Sequence, residues 1–197
     1  MRIAVASDLH AFDADEKSSL PSPSHLKITY PMTEPGKHPI AGLIKLIEDE
    51  SLTADLFLCP GDLGHKAHMA GIQYAWEAVH QLGKKLGSEL VVAASGNHDL
   101  DSRYLHSEDA KGILVGLVPP YPFPDDQLNN KYWAKNFAIT EGASYRLVVL
   151  NTSAYHGGKP EEINHGRISE STLAFLRKEL SSLSPKPVNI FLCHHHP

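Results

Sequence analysis

Five short apolar runs, Ile3 to Ala6, Leu56 to Cys59, Leu90 to Ala94, Leu147 to Leu150 and Val188 to Cys193, stop abruptly at polar, glycine or proline residues. Runs this short, several of them β-branched, read as buried strands. Helical patterns lie between them: Ile40, Leu43, Ile44 and Ile47 share one face after Pro39, and Ile72, Ala75, Trp76 and Val79 share another. A third helix is expected to open near Ser169 and to bury Leu173, Leu176 and Leu180. Strands alternating with helices specify an α/β domain, and right-handed crossovers leave the strands of its first half largely parallel. Between 131 and 151 the pattern changes to two strands in succession, Lys131 to Thr140 and Ser144 to Leu150, joined across Glu141-Gly142. A hairpin there predicts a mixed or second sheet.

With 197 residues, 42% of them hydrophobic, the chain has material for one substantial core, so a single domain is expected over 1–197. Eighteen basic against 23 acidic residues give a net charge of −5, which offers no broad footprint for nucleic acid or an anionic membrane. No apolar run approaches the roughly 18 residues of a bilayer span. Met1-Arg2 leads straight into a strand and not into a signal peptide. Cys59 and Cys193 each close an apolar segment, so buried free thiols and a reducing, cytoplasmic location are expected.

Two stretches lack periodicity. Residues 11–38, with Pro21, Pro23, Pro31 and Pro35, are long for a structureless connection and are expected to form a loop at the rim of a site. The run Pro-Pro-Tyr-Pro-Phe-Pro-Asp-Asp at 119–126 cannot continue a helix or a central strand and predicts a rigid crossing between two sheets.

The position of the polar residues carries the chemistry. Asp8 and His10 follow the first strand, Gly61-Asp62 the second, Gly96-Asn97-His98-Asp99 the third, and His194-His195-His196 the last. In parallel α/β sheets ligands bind along the edge formed by the carboxyl ends of the strands. The four segments therefore converge and deliver carboxylates, an amide oxygen and imidazoles, a donor set for mid-first-row metals. Asp8 and His10, two apart, are expected on one side of an extended segment. Gly61 and Gly96 let the backbone turn sharply and pass close to a ligand. A D-x-H triplet or a G-D pair is common, whereas Gly-Asn-His-Asp has a chance occurrence on the order of one in a thousand for this length.

In this order the blocks resemble the calcineurin-like metallophosphoesterase superfamily, whose pattern is D-x-H, G-D, G-N-H-D/E, a strand-end His and G-H-x-H. The resemblance implies a layered αββα sandwich with mixed sheets and two divalent or trivalent transition metal ions, Mn, Fe or Zn. It implies Asp8 and His10 on the first ion, Asp62 as the bridge, and Asn97 and His194 on the second. His195 is the alternative by H-x-P spacing. His98 is then the imidazole near the leaving group, with Asp99 its orienting partner. Two cations held together lower the pKa of water between them and clamp the phosphoryl oxygens. Phe191 to Pro197, Val148 to Thr152 and His165 to Ser169 are similar to blocks of bacterial cyclic-nucleotide and glycerophosphodiester phosphodiesterases, with Asn151 where that pattern has Asp.

The last block, G-H-x-H, does not occur in these residues, so the domain is expected to continue past Pro197. Gly64-His65-Lys66-Ala67-His68 has H-x-x-H spacing and is not expected to replace it. His156 and His165 are expected on the surface, Trp76 on a core helix face and Trp133 on a core strand. The implied activity is hydrolysis of a small phosphodiester by hydroxide at a dinuclear centre. A phosphomonoester or nucleic-acid substrate ranks behind it, and a binding or regulatory module that has lost catalysis is the reading from another class.

Overall fold

A computed structural model describes residues 1–13, 22–160 and 165–195. Residues 14–21, which include Pro21 of the expected rim loop, and His196 and Pro197 lie outside the described residues. Three parallel strands, β1 (Ile3–Val5), β2 (Leu56–Cys59) and β3 (Leu90–Ala93), form one sheet in the order β1-β2-β3. Helices α1 (Pro39–Asp49) and α2 (Met69–Lys85) make the crossovers between them. The short helices α3 (Asn97–Leu100) and α4 (Ala110–Val115) follow β3, and α5 (Asp126–Lys135) leads into the second sheet. That sheet has β4 (Phe137–Glu141) antiparallel to β5 (Tyr145–Leu150), and β6 (Val188–Leu192) parallel to β5. Helix α6 (Glu170–Ser182) connects β5 to β6.

The period-two alternation of strand side chains explains the layers. Phe57 and Cys59 enter a core with Ile40, Ile72 and Trp76 of the first two helices. Leu56 and Leu58 face the other way and meet Ala138, Leu147 and Val149 of the second sheet. Val148 and Leu150, on the opposite face of β5, pack against Leu176 of α6. Helices, sheet, sheet and helix thus stack around three apolar layers, the α/β domain with a second, mixed sheet that the sequence pattern predicts and the αββα sandwich that the resemblance implies. The 119–126 segment joins them, with Tyr121 in the first core and Phe123 between the sheets. Ala93 donates to the Pro122 carbonyl at 3.1 Å and the Trp76 indole to that of Pro119 at 2.8 Å. No helix among the described residues is long and apolar enough to cross a membrane.

Several expectations are corrected. Residues 131–135 are helical, not the start of a strand: Asp125 caps α5 by accepting from Leu128, and Asn129 and Tyr132 bury one helical face. Asn136, at φ 59°, ends the helix in the left-handed region and releases the chain into β4. Trp133 is accordingly a half-buried helix residue packed edge-on to Tyr132. Leu43 and Leu173 remain 43% and 37% exposed, because α1 and α6 each pack on one side only and bury Ile40, Ile47 and Leu176 instead. Trp76 is fully in the core, as expected, and both thiols are free, with Cys59 buried and Cys193 half-buried.

Candidate metal centre

The segments leaving β1 and β2 continue side by side after regular strand pairing ends. Asp8 donates its amide to Gly61, His10 to Asp62 and Ala11 to Leu63, at 3.0, 2.9 and 2.8 Å. Asp8, His10 and Asp62 have φ of 56°, 45° and 55°. The 8–10 segment is therefore not extended, as the D-x-H spacing predicted, but coils through the left-handed region. Three non-glycine residues in that sparsely populated region place backbone strain where the two segments run side by side. The coil still brings Asp8 Oδ1 within 3.9 Å of His10 Nε2.

Glycine is required where the second and third segments meet. Gly61 has φ 116°, and a Cβ on it would lie 2.5 Å from the Gly96 amide nitrogen. A Cβ on Gly96 would in turn overlap the Asp62 carboxylate. The close approach these glycines permit is between the two loops themselves.

Asp99 locks that contact. Its Oδ2 accepts from the amides of Asp62 (2.8 Å) and Gly96 (2.9 Å), and its Oδ1 from Gly64 (3.2 Å). Asp99 was expected to orient the His98 ring; it is fully buried, and its described hydrogen bonds go to these backbone amides instead. The ring of His98 is held by Lys66, whose amide donates to its Nδ1 at 3.2 Å.

Asp62, 3% exposed, sits at the centre. The His98 amide donates to its Oδ1 at 2.9 Å, while its Oδ2 lies 3.5 Å from both His10 Nε2 and His194 Nε2. His194 Nε2 is also 3.2 Å from Asn97 Oδ1. Of the two candidate histidines after β6, His194 thus faces Asp62 and Asn97. His195 turns to Thr152, with Nδ1 3.0 Å from its hydroxyl, and stacks on His156 at 4.8 Å. His156, expected on the surface, is buried by that stack, whereas His165 is exposed.

The structure brings one further residue to the site. His65, discounted for its spacing, stacks on His98 at 5.1 Å and meets His10 at 5.9 Å. Its position follows from the pairing of His65 with Ala11 and of Ala67 with the His98 carbonyl, contacts that no spacing rule in the sequence encodes.

Two donor groups result. Nitrogens of His10, His65 and His98 lie within 4.8 Å of one another, and so do donor atoms of Asp8, Asp62 and His194. The residues fit metal ions: Nδ1 of His10, His65 and His194 are buried without a hydrogen-bond partner in the structure, and the donors mix carboxylate and imidazole. Burial, opposed by Asp8 and reinforced by His194, lowers the pKa of His10. Burial and four neighbouring imidazoles push His98 down to about 4. Neutral imidazole is the form that offers a lone pair, as His10 can; on His98 the lone pair at Nδ1 already accepts from the Lys66 amide. Burial raises Asp62, aided by Asp8, and raises Asp99, aided by Asp62. A bound cation acts against those two increases.

No curated protein matches the sequence. Among solved structures, the chain is similar to a purple acid phosphatase isolated from seeds of yellow lupin (Lupinus luteus), at 17% identity and a TM-score of 0.49. The match covers 96% of this chain and 29% of the lupin chain. Residues 1–197 match the family model described as calcineurin-like phosphoesterase, and with it the chain belongs to the calcineurin-like phosphoesterase family.

Proposed function

We propose that the chain hydrolyses phosphoesters with the help of metal ions, and that its substrates are small phosphodiesters. The observation that carries the reading is the buried Asp62 carboxylate, with one oxygen held by the His98 amide and the other turned to His10 and His194. Asp8, His10, Asp62, Asn97 and His194 would hold two divalent or trivalent transition ions, Mn, Fe or Zn. When bound, such ions supply positive charge to the phosphoryl oxygens and lower the pKa of water.

The protein's own groups prepare the rest. Because Lys66 donates to Nδ1 of His98, the neutral ring carries its proton on Nε2 and presents an N–H to charge developing on a departing alkoxide. Asp99, beneath three amides, fixes the spacing of the Asp62 and Asn97 segments and so the spacing of the ligands. The preference for a phosphodiester rests on the last block, which resembles bacterial cyclic-nucleotide and glycerophosphodiester phosphodiesterases. The acidic net charge of −5 supports a small substrate over nucleic acid, and the two free thiols, Cys59 and Cys193, support a reducing, cytoplasmic setting. The 11–38 segment is the proposed source of specificity. Ser24 donates to the His10 carbonyl at 3.0 Å, which ties the described part of that segment to the site.

Hydrolysis of an aryl phosphodiester with and without added manganese tests the reading, with Asp62→Asn as the control. Metal-dependent turnover that disappears in the control is expected. Metal binding without turnover in the unaltered chain would favour a binding or regulatory module instead.

A further inference from the structure

The segment between Asp62 and α2 carries two histidines three apart, and the structure gives them different roles. His68 is the N-cap of α2, where its Nδ1 accepts from the Gly71 amide at 3.1 Å. His65 caps nothing, and its Nδ1 is buried without a hydrogen-bond partner in the structure. A buried polar atom left in that state calls for a water or an ion.

Backbone holds His65 in place from both sides. Its amide donates at 3.0 Å to the carbonyl of Ala11, the residue after His10, and the preceding Gly64 amide donates to the Asp99 carboxylate at 3.2 Å. Lys66 and Ala67 then turn through the left-handed region at φ 55° and 51°. Their amides donate to Nδ1 and to the carbonyl of His98, at 3.2 and 2.7 Å. The ring is thereby set against those of His10 and His98, with one nitrogen of each of the three within 4.8 Å of the others.

These imidazoles are not equivalent. The Nδ1 lone pair of His98 accepts from Lys66 and its Nε2 carries the proton, so the neutral ring has no lone pair left for an ion. In His10 and His65, Nδ1 accepts no hydrogen bond. His10 Nε2 also stands 3.9 Å from Asp8 Oδ1 and 3.5 Å from Asp62 Oδ2, so the His10 ring borders both donor groups. Two imidazole nitrogens bound to one ion at about 2.1 Å each lie at most about 4.2 Å apart, so side-chain movement of under about 1 Å lets His10 and His65 share one.

We propose that His65 is a ligand, beside Asp8 and His10, of the first metal ion. The proposal rests on the metal-dependent reading of the site. Imidazole suits a borderline transition ion such as zinc or iron better than magnesium or calcium. It also adds a donor without negative charge, and so leaves the positive charge of the ion uncancelled.

The test is titration of zinc into the metal-free protein, followed by NMR of the histidine ring nitrogens. The His65 signals are expected to shift saturably and in step with those of His10. This is read in the unaltered protein and does not depend on any variant folding. By calorimetry, His65→Ala is expected to weaken zinc binding at least about tenfold, with its amide spectrum reporting the fold. His65→Phe keeps a ring against His98 but has no donor, and it should bind zinc as weakly as His65→Ala. His68→Asn, which retains an N-cap acceptor, should leave the affinity unchanged. Zinc that shifts His10 and His194 while His65 stays unmoved overturns the proposal and leaves the metal-dependent reading standing. Full affinity in His65→Phe overturns it too, because the ring would then serve packing alone. Zinc that shifts none of the three histidines overturns both readings.

Discussion

The backbone amide of His98 donates to Oδ1 of Asp62 at 2.9 Å, so the residue that presents an imidazole to the site also aims the central carboxylate. Side chain and main chain of His98 therefore do separate work. His98→Ala keeps the amide and removes the ring. Turnover should fall by about 10²–10⁴, the range for losing a positioned proton donor, while metal stoichiometry by atomic absorption stays unchanged. Loss of metal together with turnover would show that the ring is a ligand.

Asp99→Asn keeps the shape of a buried carboxylate but turns an NH2 group towards amides that need acceptors. One unsatisfied buried donor costs about 1–3 kcal/mol, to be read from urea unfolding. Metal affinity should fall as well, because the segments bearing Asp62 and Asn97 lose their common anchor. Unchanged stability would mean that the three amides find other acceptors.

Gly96→Ala places a methyl group where the Asp62 carboxylate lies. Overpacking of this kind costs about 1–3 kcal/mol. The more specific outcome is a loss of metal affinity larger than that of Gly36→Ala, a glycine with open space around it. Calorimetric metal titration of the two variants decides the comparison.

His38 gives stability a pH dependence remote from the metal centre. It is buried, its Nδ1 accepts from the Ile40 amide at the start of α1, and its Nε2 lies 2.8 Å from the Tyr74 hydroxyl, which donates to the Tyr30 carbonyl. Burial lowers its pKa from 6.5. The unfolded chain therefore takes up the proton first, so this contribution is complete above pH about 6.5 and is lost as pH falls towards the folded value. His38→Asn keeps an N-cap acceptor without the titration. The stability difference between wild type and this variant should narrow as pH falls from 7.5 to 5.5, in flat contrast to a constant gap if His38 stays neutral in both states.

Metal removal should lower the melting temperature. A ligand present at about a hundredfold its Kd contributes about 2.7 kcal/mol to stability. Chelation is expected to remove that amount, and Asp62→Asn to be insensitive to chelator. Equal sensitivity in both proteins would place the stabilising ion elsewhere.

Much of this was legible beforehand because it is local. Strands ending on Asp8, Asp62, Asn97 and His194 are apolar runs with polar stops, and period-two alternation separates Leu56 and Leu58 from Phe57 and Cys59. The error at 131–135 came from Tyr132 and Trp133, whose aromatic character suggests a strand, whereas the Asp125 cap and the Asn129–Tyr132 face make a helix.

By itself, the sequence determined the alternation of strands and helices, the strand exits that bear Asp8, Asp62, Asn97 and His194, and a set of carboxylate, amide and imidazole donors suited to transition metals, while the layered sandwich came from the resemblance. Only the tertiary structure decided that His65 joins the imidazoles, that Asp99 serves backbone amides, and that His194 and not His195 faces Asp62. These depend on contacts between residues tens of positions apart, such as the Asp99 carboxylate on the Asp62 amide and His194 beside Asp62. Periodicity and spacing record what one segment presents. What that segment touches is set by the packing of the others.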